Sequence, residues 1–179
     1  MAGFVYVDNS NVFIEGQRVA AVKNDLALNI RDAINGQIVD RSYRLDFGKL
    51  YKFLANNGCK VKRAMLFGSR PPQNDSLWAA ARSEGFELFI KDRNVANREK
   101  QIDTAIVGAM FEDALEQADK ANDTFILVAG DGDYVPPVAR LVEKGFTVNV
   151  VFWEHASQEL QRVCSNFIPM NPHFENLSL

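Results

Sequence analysis

Cysteine and histidine are scarce: in 179 residues the only such side chains are Cys59, Cys164, His155 and His173. Two cysteines without a paired spacing exclude a disulfide framework and a thiolate zinc site, and they read as packing residues of a reducing compartment. Two histidines argue against a histidine-based ribonuclease mechanism, and no serine stands in a nucleophile-elbow context. Long apolar runs are also missing. None approaches the roughly 18 residues of a membrane span, and the amino terminus MAGFVYVDNSN has no basic stretch followed by a cleavage site. The expectation is a soluble, cytoplasmic chain with no membrane partner. A basic surplus is absent as well: with a net charge of −3 and a pI near 5.4, any nucleic-acid binding needs a local basic patch rather than the whole surface. No repeat, low-complexity tract or flexible linker interrupts the chain, and an apolar content of 47% suffices for one core, so residues 1–179 read as a single domain.

Among what the chain does carry, the stretch TFILVAGDGDY at 124–134 is the most informative. A short apolar run reads as a buried parallel strand, and it stops at two aspartates, Asp131 and Asp133, separated by one glycine. Open α/β sheets place their ligands at that carboxyl edge. Elsewhere strands alternate with helices. The apolar, β-rich run at 4–8 ends on Asp8, and segments 12–22 and 25–34 read as weakly helical before a loop at 35–44. Asp46 is placed to cap a helix carrying Phe47, Leu50, Phe53 and Leu54 at helical spacing, with Gly58 as its stop. A strand at 61–68 follows, then a helix opened by Asn74 or Asp75 and ended by Gly85, then a strand at 86–90 and a polar loop at 91–101. Ile106, Val107, Met110, Phe111 and Leu115 predict a helix over 102–121. Pro136 and Pro137 are compatible with the first turn of a helix over 135–143, a fifth strand spans 146–153, and Ser157 caps a last helix reaching Val163.

This alternation predicts a parallel sheet in which helix starts and strand ends share one edge. Asp8, Asn11, Asp103, Asp131 and Asp133 then lie on the same side, so four carboxylates converge from three distant segments. Two unit charges about 4 Å apart repel by roughly 4 kcal/mol at an effective dielectric near 20, so a tight cluster needs protons or a cation. Hard oxygen donors without histidine or cysteine favour Mg²⁺ or Mn²⁺, with magnesium taking only one or two carboxylates directly. Plainer readings exist: Asp103 near a helix start is favoured by the helix dipole, and GDGD can simply shape a turn.

Taken in order, Asp8 with Asn11, Lys100 and Asp103 in KQID, GDGDY, and a strand followed by Ser157 resemble an NYN domain of the LabA-like group, within the PIN-like nuclease superfamily. The resemblance covers nearly the whole chain and is strongest at VYVDNSNVF, at 100–105 and at 127–145. It implies a three-layer, PIN-like (Rossmannoid) α/β fold: a central, mostly parallel sheet of five or six strands flanked by helices, with the strands bearing Asp8 and Asp131 as central neighbours. It further implies metal-dependent hydrolysis of RNA phosphodiesters, with Asp8, Asp103, Asp131 and Asp133 as the acidic Mg²⁺ or Mn²⁺ site, Asn11 supporting it and Ser10 nearby. Lys100 is a candidate contact of the scissile phosphate. Segment 18–44 exceeds a minimal domain and reads as an insertion serving as a lid, a contact between copies of the chain in a homo-oligomer, or a substrate surface.

For RNA as partner, Arg70 after the second strand and Lys91, Arg93, Arg98 and Lys100 after the third put basic loops on the site edge, against Asp92 and Glu99. Phe152, Trp153 and His155 follow the fifth strand; the first two suit a core and His155 is a weak stacking candidate. A haloacid-dehalogenase-like phosphatase also has an aspartate after its first strand, but its second acid falls here on Ser10. A receiver-like phospho-switch lacks its lysine after the fifth strand. The non-enzymatic rival is a PIN-like RNA-binding or protein-interaction module.

Overall fold

Residues 3–8 are buried without interruption, so β1 (Ala2–Asp8) must be covered on both faces, as must β4 (Asp123–Val128). In the computed structural model, which describes residues 2–55, 60–70, 76–92 and 98–179, these two strands lie side by side at the centre of the sheet. Around them, chain order adds α1 (Asn9–Lys23), α2 (Ile30–Asn35), α3 (Phe47–Ala55), β2 (Lys60–Arg70), α4 (Ser76–Ser83), β3 (Glu87–Asp92) and α5 (Arg98–Glu116). After β4 come a 3-10 turn at Gly132–Tyr134, α6 (Val135–Glu143), β5 (Thr147–Phe152), α7 (Gln158–Val163), β6 (Asn166–Pro169), a second 3-10 turn at Asn171–His173 and α8 (Phe174–Leu177).

The strand order is β3-β2-β1-β4-β5-β6, and every strand pairing within this sheet is parallel; an isolated bridge between Leu45 and Ser178 is antiparallel. The order reverses between β1 and β4, so the strand ends diverge there into a crevice. A parallel α/β sheet flanked by helices is what the sequence predicts, and the sheet has six strands. β6 lacks a sequence signature because NFIP is short and only half-buried at the sheet edge.

Boundaries move around the third strand and the long helix: β3 runs on to Asp92, and α5 begins at Arg98 rather than 102 and ends at Glu116 rather than 121, so both described ends of the polar stretch at 91–101 are regular structure. The DNSN segment is a helix start: Asp8 is the N-cap of α1, its side chain accepting from the Asn11 amide. Asp46 likewise accepts from the Lys49 amide at 2.9 Å to cap α3. The expected stop at Gly58 and the openers Asn74 and Asp75 lie outside the described residues.

Segment 18–44 is anchored to the body of the fold at a few buried positions and is otherwise largely exposed, Leu28 to 92%. Val19, Ala20, Ala21 and Ala33 are buried, and the ring of Tyr43 stacks on Phe174 at 5.0 Å and meets Trp153 edge-on at 6.3 Å. Below the sheet centre a polar group is buried too. Asp113 in α5 accepts from the Tyr6 hydroxyl at 2.6 Å and from Arg63 at 2.8 Å, which supplies the partners a buried carboxylate requires.

Candidate active site

The turn after β4 is set by steric exclusion. A Cβ on Gly130 would stand 2.1 Å from the Phe152 ring, so the chain can pass over β5 here only without a side chain. The Gly130 amide donates to Oδ1 of Asn11 at 2.8 Å, and the Asn11 amide donates to Oδ1 of Asp8 at 3.1 Å. Asn11 thus ties the two central strand ends together. On the far side the Ser157 amide donates to the Gly130 carbonyl at 2.9 Å, and the Ser157 hydroxyl accepts from the Leu160 amide at 3.4 Å to cap α7. Ser157 therefore buttresses the turn from behind.

Asp8, Ser10, Asn11, Asp103, Asp131 and Asp133 all line one cavity of about 370 Å³ at the junction of β1 and β4. Its acids differ in setting. Asp8 is buried, Asp103 is half-buried in the first turns of α5, and Asp131 and Asp133 are exposed at the mouth. Asp131 caps the 3-10 turn by accepting from the Asp133 amide at 3.1 Å. Burial pushes the Asp8 carboxyl up to about 6, and the negative charges of Asp103 and Asp131 push in the same direction; the Asn11 amide and the Tyr134 hydroxyl oppose them.

Tyr134 closes the floor. It is fully buried, and its hydroxyl lies 3.1 Å from Oδ2 of Asp8 and 3.0 Å from Oδ1 of Asp103. Burial together with those two carboxylates drives its own ionisation far upward, so it remains a neutral donor. One proton cannot serve two ionised acceptors at once.

Among the described residues no group of three or more histidine, cysteine, aspartate or glutamate side chains is arranged to hold a metal ion outright. The donor set nevertheless fits a hard cation that takes one or two carboxylates and keeps its waters: every acid in the cavity offers oxygen, and neither histidine nor cysteine lines it. Asp8 is the best-placed donor, because a buried carboxylate facing two further acids gains most from a positive charge.

Of the remaining sequence candidates, Arg93 lies outside the described residues, and Arg70, Arg98 and Lys100 are described in backbone only, at the end of β2 and the start of α5. Phe152 and Trp153 are core, the indole N–H donating to the Val12 carbonyl at 3.0 Å. His155 is half-buried, its Nε2 2.7 Å from Oε2 of Glu15, a contact in the ring plane that fixes the orientation of the imidazole. Sequence reasoning missed Tyr134 as well as Ile14, Glu15, Arg18, Ser69 and Ile102, which complete the cavity wall. Tyr134 directly follows GDGD, and Asn11, Ile14, Glu15 and Arg18 recur at intervals of 3, 4 and 7, one helix face once α1 is known to start at Asn9.

The family model described as NYN domain matches residues 5–171. A crystal structure of a protein of unknown function from Vibrio parahaemolyticus RIMD 2210633 is similar at 20% identity and a TM-score of 0.70, covering 99% of this chain and 96% of that one. At that identity the likeness is one of fold. No curated protein matches the chain.

Proposed function

The chain belongs to the NYN domain family of the PIN-like nuclease superfamily, and from that premise we propose that it is a Mg²⁺- or Mn²⁺-dependent ribonuclease hydrolysing RNA phosphodiester bonds at the cavity between β1 and β4. The observation that carries the reading is the meeting of Asp8, Asp103, Asp131 and Asp133, from three separate segments, in one cavity at the sheet's switch point. A bound divalent ion supplies an activated water and neutralises charge developing on the phosphate. Asp8 and Asp131 are the proposed direct ligands, and Asp103 and Asp133 act through water or a second cation. One of these acids takes the proton of the attacking water. Asn11 keeps Asp8 and the Gly130 turn in register, and Tyr134 holds Asp8 and Asp103 apart at hydrogen-bond distance. Lys100 remains the proposed contact of the scissile phosphate.

The choice of RNA over DNA rests on the resemblance to the NYN family alone. Ser10, which lines the cavity, stands where a haloacid-dehalogenase-like phosphatase has its second acid, and a hydroxyl there does not supply that proton donor. Among the described residues no helix is long and apolar enough to cross a membrane, and the cytoplasm is the proposed location. The test incubates wild type and Asp131→Asn with labelled single-stranded and structured RNA and DNA in Mg²⁺, Mn²⁺ or chelator. Cutting of RNA by wild type in metal, absent in the variant and in chelator, is expected. Metal-independent binding without any product, unaffected by Asp131→Asn, would instead mark an RNA-binding module.

A further inference from the structure

The acid cavity contains one cation among its described lining residues, Arg18, and nothing in the metal chemistry uses it. Arg18 shares one face of α1 with Asn11, Ile14 and Glu15, and helical side chains lean toward the helix start, here toward Asp8. Its Nη1 donates to Oε1 of Glu15, and the other carboxylate oxygen of Glu15 is 2.7 Å from Nε2 of His155. The guanidinium is therefore held in place from β5's carboxyl end. Yet its Nε is buried and has no hydrogen-bond partner. A structural ion pair that merely fastened α1 to the loop after β5 would not need to line the cavity, where the other ionisable side chains among the described lining residues are all acids.

We propose that Arg18 is a substrate-binding residue that grips a phosphate of the nucleic-acid strand one or more nucleotides away from the scissile bond. The proposal rests on the nuclease reading above and deepens it. Ten residues of chain separate Arg18 from Asp8, about 15 Å of axial rise between their backbone positions at 1.5 Å per residue, so the two side chains enter the shared cavity from different points along α1, which suits a strand tracking along that helix. A planar guanidinium fixed on one edge by a carboxylate keeps its remaining N–H groups pre-aimed, which matches the paired oxygens of a phosphate. Ile14, 41% exposed and between Asn11 and Arg18 on the same face, gives that strand an apolar surface to lie on. The phosphate is either internal or at a 5′ end.

The experiment compares Asp131→Asn with Asp131→Asn carrying Arg18→Met or Arg18→Lys, so that the strand stays uncut, in Mg²⁺. Binding of a fluorescent single-stranded RNA of about ten nucleotides, with 5′-hydroxyl or 5′-phosphate, is followed across a KCl series. Arg18→Met is expected to weaken binding about tenfold and to flatten the slope of log affinity against log salt by roughly 0.7–0.9. Arg18→Lys is expected to keep the slope and recover only part of the affinity, because the charge remains and the fork is lost. Equal losses on both RNAs mean an internal phosphate; loss of a preference for 5′-phosphate means a terminal one. Unchanged affinity and slope in both variants, with a parent that binds RNA, overturns the proposal alone. A parent that binds neither RNA overturns the nuclease reading with it. Arg18→Lys preserves the ion pair's charge, so its result stands even where Arg18→Met does not fold.

Discussion

The hydroxyl of Tyr134 lies 3.0 Å from Oδ1 of Asp103, two side chains 31 residues apart in sequence that meet beneath the acid cavity. The same oxygen is 3.1 Å from Asp8, so a single phenolic proton spaces two carboxylates that would otherwise face each other directly. Tyr134→Phe keeps the buried ring and removes only that proton. The expected result is a stability loss of about 1 kcal/mol, read in thermal melts, together with a higher Mn²⁺ requirement for RNA cleavage. Unchanged metal dependence would show that the hydroxyl does not organise the acids.

A pH dependence follows from Asp8. Burial, with Asp103 and Asp131, raises its carboxyl from 3.8 to about 6, so the folded protein holds this proton more tightly than the unfolded chain does. Its contribution to stability is therefore complete below about pH 4 and lost as pH rises through about 6, a loss of at most ~3 kcal/mol by linkage. Asp123, held below the usual range because Lys62 and the Asp119 amide outweigh its burial, has the opposite slope and loses stabilisation on acidification. The difference between wild type and Asp8→Asn isolates the first effect. Metal-free Asp8→Asn is expected to be the more stable protein at pH 7.5, and the two should converge toward pH 4. Mg²⁺ or Mn²⁺ should raise the wild-type melting temperature more at pH 7.5 than at pH 5, and barely raise that of the variant.

Asp131 and Asp133 separate activity from stability in another way. Both are exposed, and asparagine caps a turn as well as aspartate does, so Asp131→Asn is expected to fold with a stability within about 0.5 kcal/mol of wild type. Cleavage should nonetheless fall by roughly a hundredfold or more, the consequence of losing a few kcal/mol of transition-state stabilisation. Melting curves and RNA product yields on the same preparations check both halves; a variant that cuts at the wild-type rate removes Asp131 from the site.

The sheet and its acidic edge were legible because their signals are local. Apolar runs ending in acids mark β1 and β4, and the switch between them follows from parallel connectivity. What was not legible depends on partners distant in sequence. α1 has little amphipathic contrast because it is covered on several sides, including by Tyr43 and Trp153, whose rings come within 2.6 and 3.0 Å of a Cβ placed at Gly16. With α1 indistinct, the face holding Glu15 and Arg18 could not be drawn. Tyr134 carried no signal of its own, since nothing near it in sequence says that Asp8 and Asp103 arrive above its hydroxyl. β6 is too short and too exposed to announce itself.

The two glycines of GDGD have opposite roles, which gives a paired prediction. At Gly130 a methyl group would fall 2.1 Å from the ring of Phe152, a side chain buried in the core with no room to retreat. At Gly132 the nearest foreign atom to a Cβ is the Ser157 hydroxyl at 3.7 Å, an ordinary contact on an exposed turn. Gly130→Ala is therefore expected to cost about 1–3 kcal/mol by overpacking, or about 2–4 °C of melting temperature for each kcal/mol, and Gly132→Ala should stay within about 0.5 kcal/mol of wild type. Because the Gly130 amide is bonded to Asn11, which in turn holds Asp8, the displacement at Gly130 should also reach the acids. RNA cleavage by Gly130→Ala at a temperature where it is fully folded should then be weaker than that of Gly132→Ala. Equal activities would mean that the Gly130–Asn11–Asp8 chain of hydrogen bonds does not position the site.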